Sequence, residues 1–249
     1  MNNMYNPMSL VGKTILVTGA SSGIGQAIAI ECSKLGATVI CTARNESRLQ
    51  ETLSLMEGEG HSYIAADLTD AVALDSLVEQ LPKLDGVSHN AGVGQTLLTG
   101  FATDEKVDAI FHVNVLSVVQ LQTRLLQKRK IAKGASIVFM SSVGASRVSP
   151  GNAFYGMTKA ALVPYMKGLA REYGKKNIRA NSVHPGMVKT PLIYRGQLSE
   201  EDYEKDVKKY PLGRYGEPSD VAHLVAFLLS PASCWISGCQ YFIDGGLTA

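Results

Sequence analysis

The chain has little of what marks a stapled, exported or polyanion-binding protein. Its four cysteines, Cys32, Cys41, Cys234 and Cys239, include no CxxC pair and stand near no histidine at zinc-ligand spacing. Neither a metal site nor a disulfide framework is therefore expected, and all four read as small buried hydrophobes. Only nine prolines beside 45% hydrophobic residues exclude a disordered or collagen-like chain. Twenty-four basic against 22 acidic residues leave a net charge of +2, too weak to demand a nucleic-acid partner. No apolar run approaches the roughly 20 residues that span a bilayer, since Leu224 to Leu229 is closed by Ser230 and Pro231. Residues 1–10 lack the basic and apolar regions of an export signal. They read as a flexible extension of a cytoplasmic protein.

What the chain does have is alternation. Short apolar runs at Thr14 to Val17, Thr38 to Cys41, Ser62 to Ala65, Val87 to Ser88, Ser136 to Met140, Ile178 to Val183 and Gln240 to Ile243 are separated by segments of helical period. Between the first two, Ile24, Ala27, Ile28 and Leu35 repeat as an amphipathic crossover helix requires. The runs are continuously apolar, as a parallel sheet covered on both faces demands. The expected fold is α/β, a single domain over 1–249 built on a doubly wound parallel sheet of about seven strands. One long irregular stretch, 187–216, holds the charged and helical-looking Glu200, Glu201, Asp202, Glu204, Lys205, Asp206, Lys208 and Lys209. Such stretches are either substrate lids or solvated insertions.

The first strand runs into Thr18-Gly19-Ala20-Ser21-Ser22-Gly23-Ile24-Gly25 directly before the first helix. Glycines there let the backbone approach a pyrophosphate, and the helix N-terminus offers unpaired N–H groups and a favourable dipole. The spacing is GxxxGxG, and its place in a βαβ unit points to a dinucleotide more than to plain turn chemistry. An acid about 20 residues on would bind the ribose 2′-hydroxyl of NAD. Here the second strand ends in Cys41-Thr42-Ala43-Arg44-Asn45, with no acid. Arg44 and Thr42 are placed to meet a 2′-phosphate, which favours NADPH over NADH, unless Arg44 is a solvated loop charge.

Tyr155 and Lys159 stand one helical turn apart and share a face. A phenol of pKa about 10 becomes a usable acid or base when a fixed ammonium favours its phenolate. Ser142 follows the apolar strand at the end where open α/β sheets bind ligands. Asn114, an amide in an apolar helical run, is either functional or a hydrogen-bonded structural clamp.

In this company the sequence resembles the short-chain dehydrogenase/reductase family from Lys13 to Gly246. The resemblance rests on TGASSGIG, on Asp67-Leu68, on Asn90-Ala91-Gly92, on the order Asn114, Ser142, Tyr155, Lys159, and on Pro185-Gly186 through Thr190. It implies that Asn114, Ser142, Tyr155 and Lys159 are catalytic. It further implies that Gly19, Ser21, Ser22, Gly23, Ile24, Gly25, Thr42, Arg44, Asp67, Leu68, Asn90, Ala91, Gly92, Tyr155, Lys159, Pro185, Gly186, Val188 and Thr190 bind NADPH. In the implied reaction Tyr155 protonates a carbonyl, Ser142 orients it, Lys159 binds the nicotinamide ribose and Asn114 holds a relay water. Two residues depart from pattern. His89 replaces the first asparagine of the family's NNAG motif, and Pro164 falls inside the Tyr155 helix, where it should kink it. That helix often makes subunit contacts in the family, so a homotetramer is expected.

The sequence looks most like bacterial 3-oxoacyl-acyl-carrier-protein reductases, through Pro211 to Pro218 and Ile243 to Gly246. Such enzymes dock an acidic carrier protein, and Lys133 and Lys176 match their basic docking positions, with Lys128, Arg129, Lys130, Lys175 and Arg179 nearby. Helix-end lysines that cap carbonyls are the plainer explanation. A dehydrogenase of a free sugar, steroid or polyol is the alternative, and a non-catalytic cofactor-sensing scaffold is a third.

Overall fold

All seven apolar runs form strands: β1 (Thr14–Thr18), β2 (Thr38–Ala43), β3 (Ser62–Ala65), β4 (Leu84–His89), β5 (Ile131–Met140), β6 (Arg179–Pro185) and β7 (Gln240–Ile243). A computed structural model describes residues 5–191 and 200–249. The strands lie parallel in one sheet of order β3-β2-β1-β4-β5-β6-β7. This is the doubly wound arrangement, with its switch point between β1 and β4. Helices α1 (Gly23–Lys34), α2 (Glu46–Ser54), α3 (Ala71–Gln80), α4 (Asp104–Phe111), α5 (Ser117–Gln127), α6 (Ala153–Tyr173), α7 (Glu200–Val207) and α8 (Pro218–Leu229) complete it.

Both sheet faces are covered, which explains the uninterrupted apolar strands. Ile15, Val17, Val39 and Val138 pack with Ile28 of α1 and Val225 of α8, while Leu16, Val87, Ile137 and Phe139 pack with Leu77 of α3, Leu121 of α5 and Met166 of α6. Among the described residues no helix is long and apolar enough to cross a membrane.

Three expectations change. Residues 7–10 are not a free extension: Pro7 accepts a hydrogen bond from the Ala232 N–H, and Leu10 is fully buried with its N–H on the Leu35 carbonyl. Residues 1–4 lie outside the described residues. Cys32 and Cys41 are buried, but Cys234 and Cys239, in the turns before the edge strand β7, are exposed. Arg179 is not a surface base, since its guanidinium is buried on the carbonyls of Leu228, Ser230 and Ile236. The Tyr155 helix α6 runs for 21 residues with Pro164 inside it. The missing proline N–H forfeits one bond, and packing on both sides of it holds the helix together.

Candidate active site

The glycine turn, the Asn90 segment and the Tyr155 helix meet at the carboxyl ends of the strands around the switch point. Thr18 organises the first part. Its hydroxyl accepts from the N–H groups of Asn90 and Ala91, each at 3.0 Å, which ties the end of β1 to the end of β4. Gly19 and Ala20 donate to the Thr42 carbonyl at 2.8 and 3.3 Å. Gly19 is left-handed at φ +66°, and a Cβ there would meet the Ala91 Cα at 2.9 Å. A Cβ on Gly25 would lie 2.2 Å from the Gly19 carbonyl oxygen. Glycine is thus required twice for a turn this tight.

Ser22 caps α1 without a side-chain hydrogen bond, and no acid lies in the first turn. The N–H groups of Gly23, Ile24 and Gly25 have no intrahelical acceptor, so the helix end fits an anion. The side chain of Thr190 stands over Gly23. It follows Pro185 and Gly186 at the end of β6, where Gly186 donates to the Ile243 carbonyl and Val188 bridges to Gly216. The group implied by the resemblance, a dinucleotide, therefore fits this cradle of glycines and uncapped helix end.

The four residues expected to be catalytic come together beside it. Residues His112–Leu116 form a π-turn between α4 and α5, which rotates Asn114 inward, fully buried. Its Oδ1 accepts from Val93 N–H at 2.8 Å, and its Nδ2 donates to the Val93 carbonyl and Thr158 Oγ1 at 2.9 and 3.1 Å. The amide is thus a clamp on α6 and on the loop after β4, with one Oδ1 lone pair left for water. Thr158 donates in turn to the Tyr155 carbonyl. A Cβ on Gly92 would lie 3.0 Å from Lys159 Nζ and 3.1 Å from Asn114 Oδ1, so the bare backbone there faces both groups.

Lys159 is buried and its Nζ donates to the Met140 carbonyl at 3.0 Å, while Ser141 Oγ holds the Lys159 carbonyl. Burial pushes its ammonium down to about 8. Ser142 starts the turn after β5, where its Oγ accepts from Gly144 N–H at 3.0 Å. The sequence argument has the ammonium lowering the Tyr155 phenol. In the folded chain burial dominates and raises it, with the Ser142 hydroxyl opposing that rise. The ammonium lies 5.9 Å from the ring centroid and bonds a carbonyl instead of the phenol.

His184, which drew no attention in the sequence, supports Ser142 from behind. Its Nδ1 donates to the Ser142 carbonyl at 3.3 Å, so its Nε2 accepts from Ser182 Oγ at 2.9 Å. His89 is a buried structural histidine. Its Nε2 meets Gln122 Oε1 at 2.8 Å, its ring stacks on Phe139, and its Nδ1 has no partner among the described residues.

Of three expected cofactor residues, the first sits differently from expectation. Thr42 is fully buried and its hydroxyl donates to the Ile64 carbonyl at 2.7 Å, because at this position the strand turns its side chain toward β3. Leu68 packs in the core, leaving only its backbone for a nucleotide. Asp67 is held below the usual carboxylate range by the Thr69 N–H and hydroxyl, and lies 4.0 Å from the exposed Arg44. Of the stretch 187–216, positions 192–199 lie outside the described residues. Its ends are joined by Gly216 N–H to the Met187 carbonyl and Lys189 N–H to the Gly216 carbonyl. Tyr215 inside it donates to Asp206 at 2.7 Å. Of the surface bases, Lys130 is taken up by the carbonyls of Glu79 and Leu81 at the end of α3, and Lys128 lies 3.9 Å from Glu79, as the helix-end reading requires. Lys133, Lys175 and Lys176 are exposed.

Comparison with known proteins agrees with this geometry. A family model described as enoyl-(acyl carrier protein) reductase matches residues 19–248. The 3-oxoacyl-(acyl-carrier-protein) reductase FabG of Rickettsia conorii is 35% identical over 240 residues, covering 96% of this chain and 98% of its own. A tropinone reductase homolog of Arabidopsis thaliana is 36% identical over 249 residues, covering 96% and 91%. The solved short-chain dehydrogenase/reductase of Serratia marcescens superposes with a TM-score of 0.88 at 34% identity, covering 98% of this chain and all of that one. With its glycine turn, Asn90 segment and Tyr155–Lys159 helix converging at one switch point, the chain belongs to the short-chain dehydrogenase/reductase family of oxidoreductases.

Proposed function

We propose that the chain is an NADPH-dependent carbonyl reductase acting on a 3-oxoacyl thioester presented by an acyl carrier protein. The observation that carries the reading is the cluster of Tyr155, Ser142 and Lys159 around the bare backbone of Gly92 and Gly144. A Cβ on Gly144 would meet Ser142 Oγ at 3.3 Å and the Tyr155 ring at 3.6 Å, so both hydroxyl-bearing side chains face one small volume. NADPH, when bound, supplies the hydride. Tyr155 holds the proton at its phenolic oxygen, and burial keeps it there at neutral pH. Ser142 donates to the substrate oxygen, with its backbone held by His184. Lys159 supplies a positive charge beneath the site, and Asn114 fixes the loop after β4.

Arg44 supports the phosphorylated cofactor. It leaves the end of β2 with its side chain 72% exposed, and the strand end itself carries no acid of the kind that would bind the ribose 2′-hydroxyl of NAD. The Rickettsia relative's name supports the thioester and its carrier, whereas exposed Lys133, Lys175 and Lys176 lie where β5 and β6 begin, away from the Tyr155 end. The segment 187–216 is assigned as a substrate lid. Exposed Leu116 and Met157 near α5 and α6 support assembly as a homotetramer.

The equally similar tropinone reductase homolog favours a second reading, reduction of a free small-molecule ketone. The two are separated by following NADPH oxidation with an acetoacetyl thioester beside free ketones and keto sugars. Good ketone turnover without thioester turnover removes the first reading. A KM for acylated carrier that does not rise with salt removes carrier docking.

A further inference from the structure

Opposite the catalytic end, where β4, β5 and β6 begin, the surface holds a pocket of about 280 Å³. Its apolar floor includes Ile131, Tyr173 and Ile178, and its rim carries Lys83, Arg129 and Lys176. Among the described residues no acidic one lines it. The pocket opens where β5 leaves the regular ladder: Ile131 pairs with Leu84, and the chain then bulges before Ser136 pairs with Gly86.

Two features mark this place as more than a gap between elements. Among the described residues, Lys83 and Arg129 form no hydrogen bond or ion pair through their side chains, whereas neighbouring Lys128 and Lys130 are both engaged on Glu79 or the end of α3. Lys176 has only the Tyr173 ring, 5.3 Å from its ammonium. Three cations thus converge without a counter-charge. In addition, the described chain has two non-glycine residues with left-handed backbone, each at φ +56°: Arg129, which lines this pocket, and Asn177, which falls in sequence between the lining residues Lys176 and Ile178. Arg129 closes α5, with its N–H on the Leu126 carbonyl and that of Lys130 on the Leu125 carbonyl, a position where glycine or asparagine is the common choice and arginine an uncommon one.

The geometry points to a second binding site, for a small amphipathic anion whose apolar body covers Ile131, Tyr173 and Ile178 and whose single carboxylate or phosphate meets Lys83, Arg129 and Lys176. The arginine fork suits either oxyanion, and the tyrosine ring suits an apolar chain. The inference does not depend on which substrate is reduced at the catalytic end. An extended acidic protein surface would need no apolar floor of this size, and it is treated below as an opposing outcome.

Octanoate and octyl phosphate are the probes, with octanol and acetate as controls, in calorimetric and two-dimensional NMR titrations of the whole chain. Octanoate, octyl phosphate or both bind, more weakly as salt rises, and the two arms tell carboxylate from phosphate. Octanol and acetate bind far less. The shifted resonances include Tyr173 and Ile178. The double variant Lys83→Glu/Arg129→Glu, checked for folding by circular dichroism, weakens binding by about tenfold or more. Arg129→Gly separates the two properties of that residue: it melts higher because the left-handed position is relieved, yet binds the probe less well. Undiminished binding in the double variant, shifts confined to Tyr155 and Ser142, equal binding of octanol, or no binding of either probe overturns the proposal. So does loss of acylated-carrier binding alone in the double variant, which would give the surface to a protein partner.

Discussion

The Lys159 ammonium lies against the Met140 carbonyl at 3.0 Å, so the charge expected to act on the cofactor is anchored to the last residue of β5. With one carbonyl for company and no carboxylate, it is destabilised by burial and loses its proton near pH 8. An anionic dinucleotide favours the charged form. NADPH binding at pH 8.5 should therefore take up a proton, visible as a dependence of binding heat on buffer ionisation enthalpy. Lys159→Met should abolish that uptake and lower kcat, while the melting temperature changes little, because a costly buried charge leaves together with its hydrogen bond. A large fall in melting temperature with unchanged proton uptake would mark Lys159 as merely structural.

Tyr155→Phe removes one oxygen from a ring whose packing is otherwise kept. A positioned general acid contributes about 10²- to 10⁴-fold, and kcat should fall by that order. NADPH affinity should stay near wild type, since the glycine turn and α1 are untouched. Wild-type turnover in this variant would remove Tyr155 from the chemistry.

How much of this was visible beforehand follows from what each residue's neighbours could reveal. The strands were legible because a sheet covered on both faces leaves continuous apolar runs, and Gly19, Tyr155 and Lys159 because turn chemistry and helical spacing are local. Thr158 could have been found as well, being three residues after Tyr155 and next to Lys159 on the same helix face. The π-turn at His112–Leu116 was not visible, since its letters read as ordinary helix and only tertiary packing opens it. Arg179 looks like a strand-end surface base, and only the fold brings the Leu228, Ser230 and Ile236 carbonyls to it. Thr42 and Arg44 lie two apart, yet the first is inside β2 and the second just past its end. Exposure, not residue type, separates them.

Arg44 offers the direct test of cofactor choice. A charge-assisted contact to a phosphate contributes about 1.5–3 kcal/mol, so Arg44→Ala should raise KM for NADPH about 10- to 100-fold and leave that for NADH nearly unchanged. Arg44→Asp should go further and reverse the preference, by repelling the 2′-phosphate and offering the ribose an acceptor. Equal losses with both cofactors would mean that Arg44 acts only on the loop.

Gly156 is a close-contact point between the Tyr155 helix and the Ser142 turn. A Cβ there would lie 2.5 Å from the Gly144 carbonyl oxygen, which is backbone and cannot rotate away. Gly156→Ala must therefore push the 143–145 turn off α6, at a cost of about 1–3 kcal/mol typical of overpacking. Helix propensity alone predicts the opposite sign, since alanine is about 1 kcal/mol better than glycine inside a helix. A lower melting temperature together with reduced kcat identifies the clash, whereas a more stable and fully active variant would show that the turn is free to move.

His89 gives the fold a pH dependence of its own. Burial lowers its pKa to about 4, against 6.5 for an ordinary histidine, while Gln122 opposes the shift only in part. Between those values the unfolded chain binds a proton that the folded chain refuses. Stability contributed by the neutral ring is thus complete above pH 6.5 and lost as pH falls toward 4, by up to about 3 kcal/mol. His89→Asn keeps a hydrogen-bonding group facing Gln122 but cannot titrate. Urea midpoints measured from pH 7 to pH 4 should fall more steeply for the wild-type chain than for the variant, with the gap opening below pH 6.5. Parallel curves would mean that His89 accepts its proton in the folded state, with a water or a moved Gln122 solvating the partnerless Nδ1.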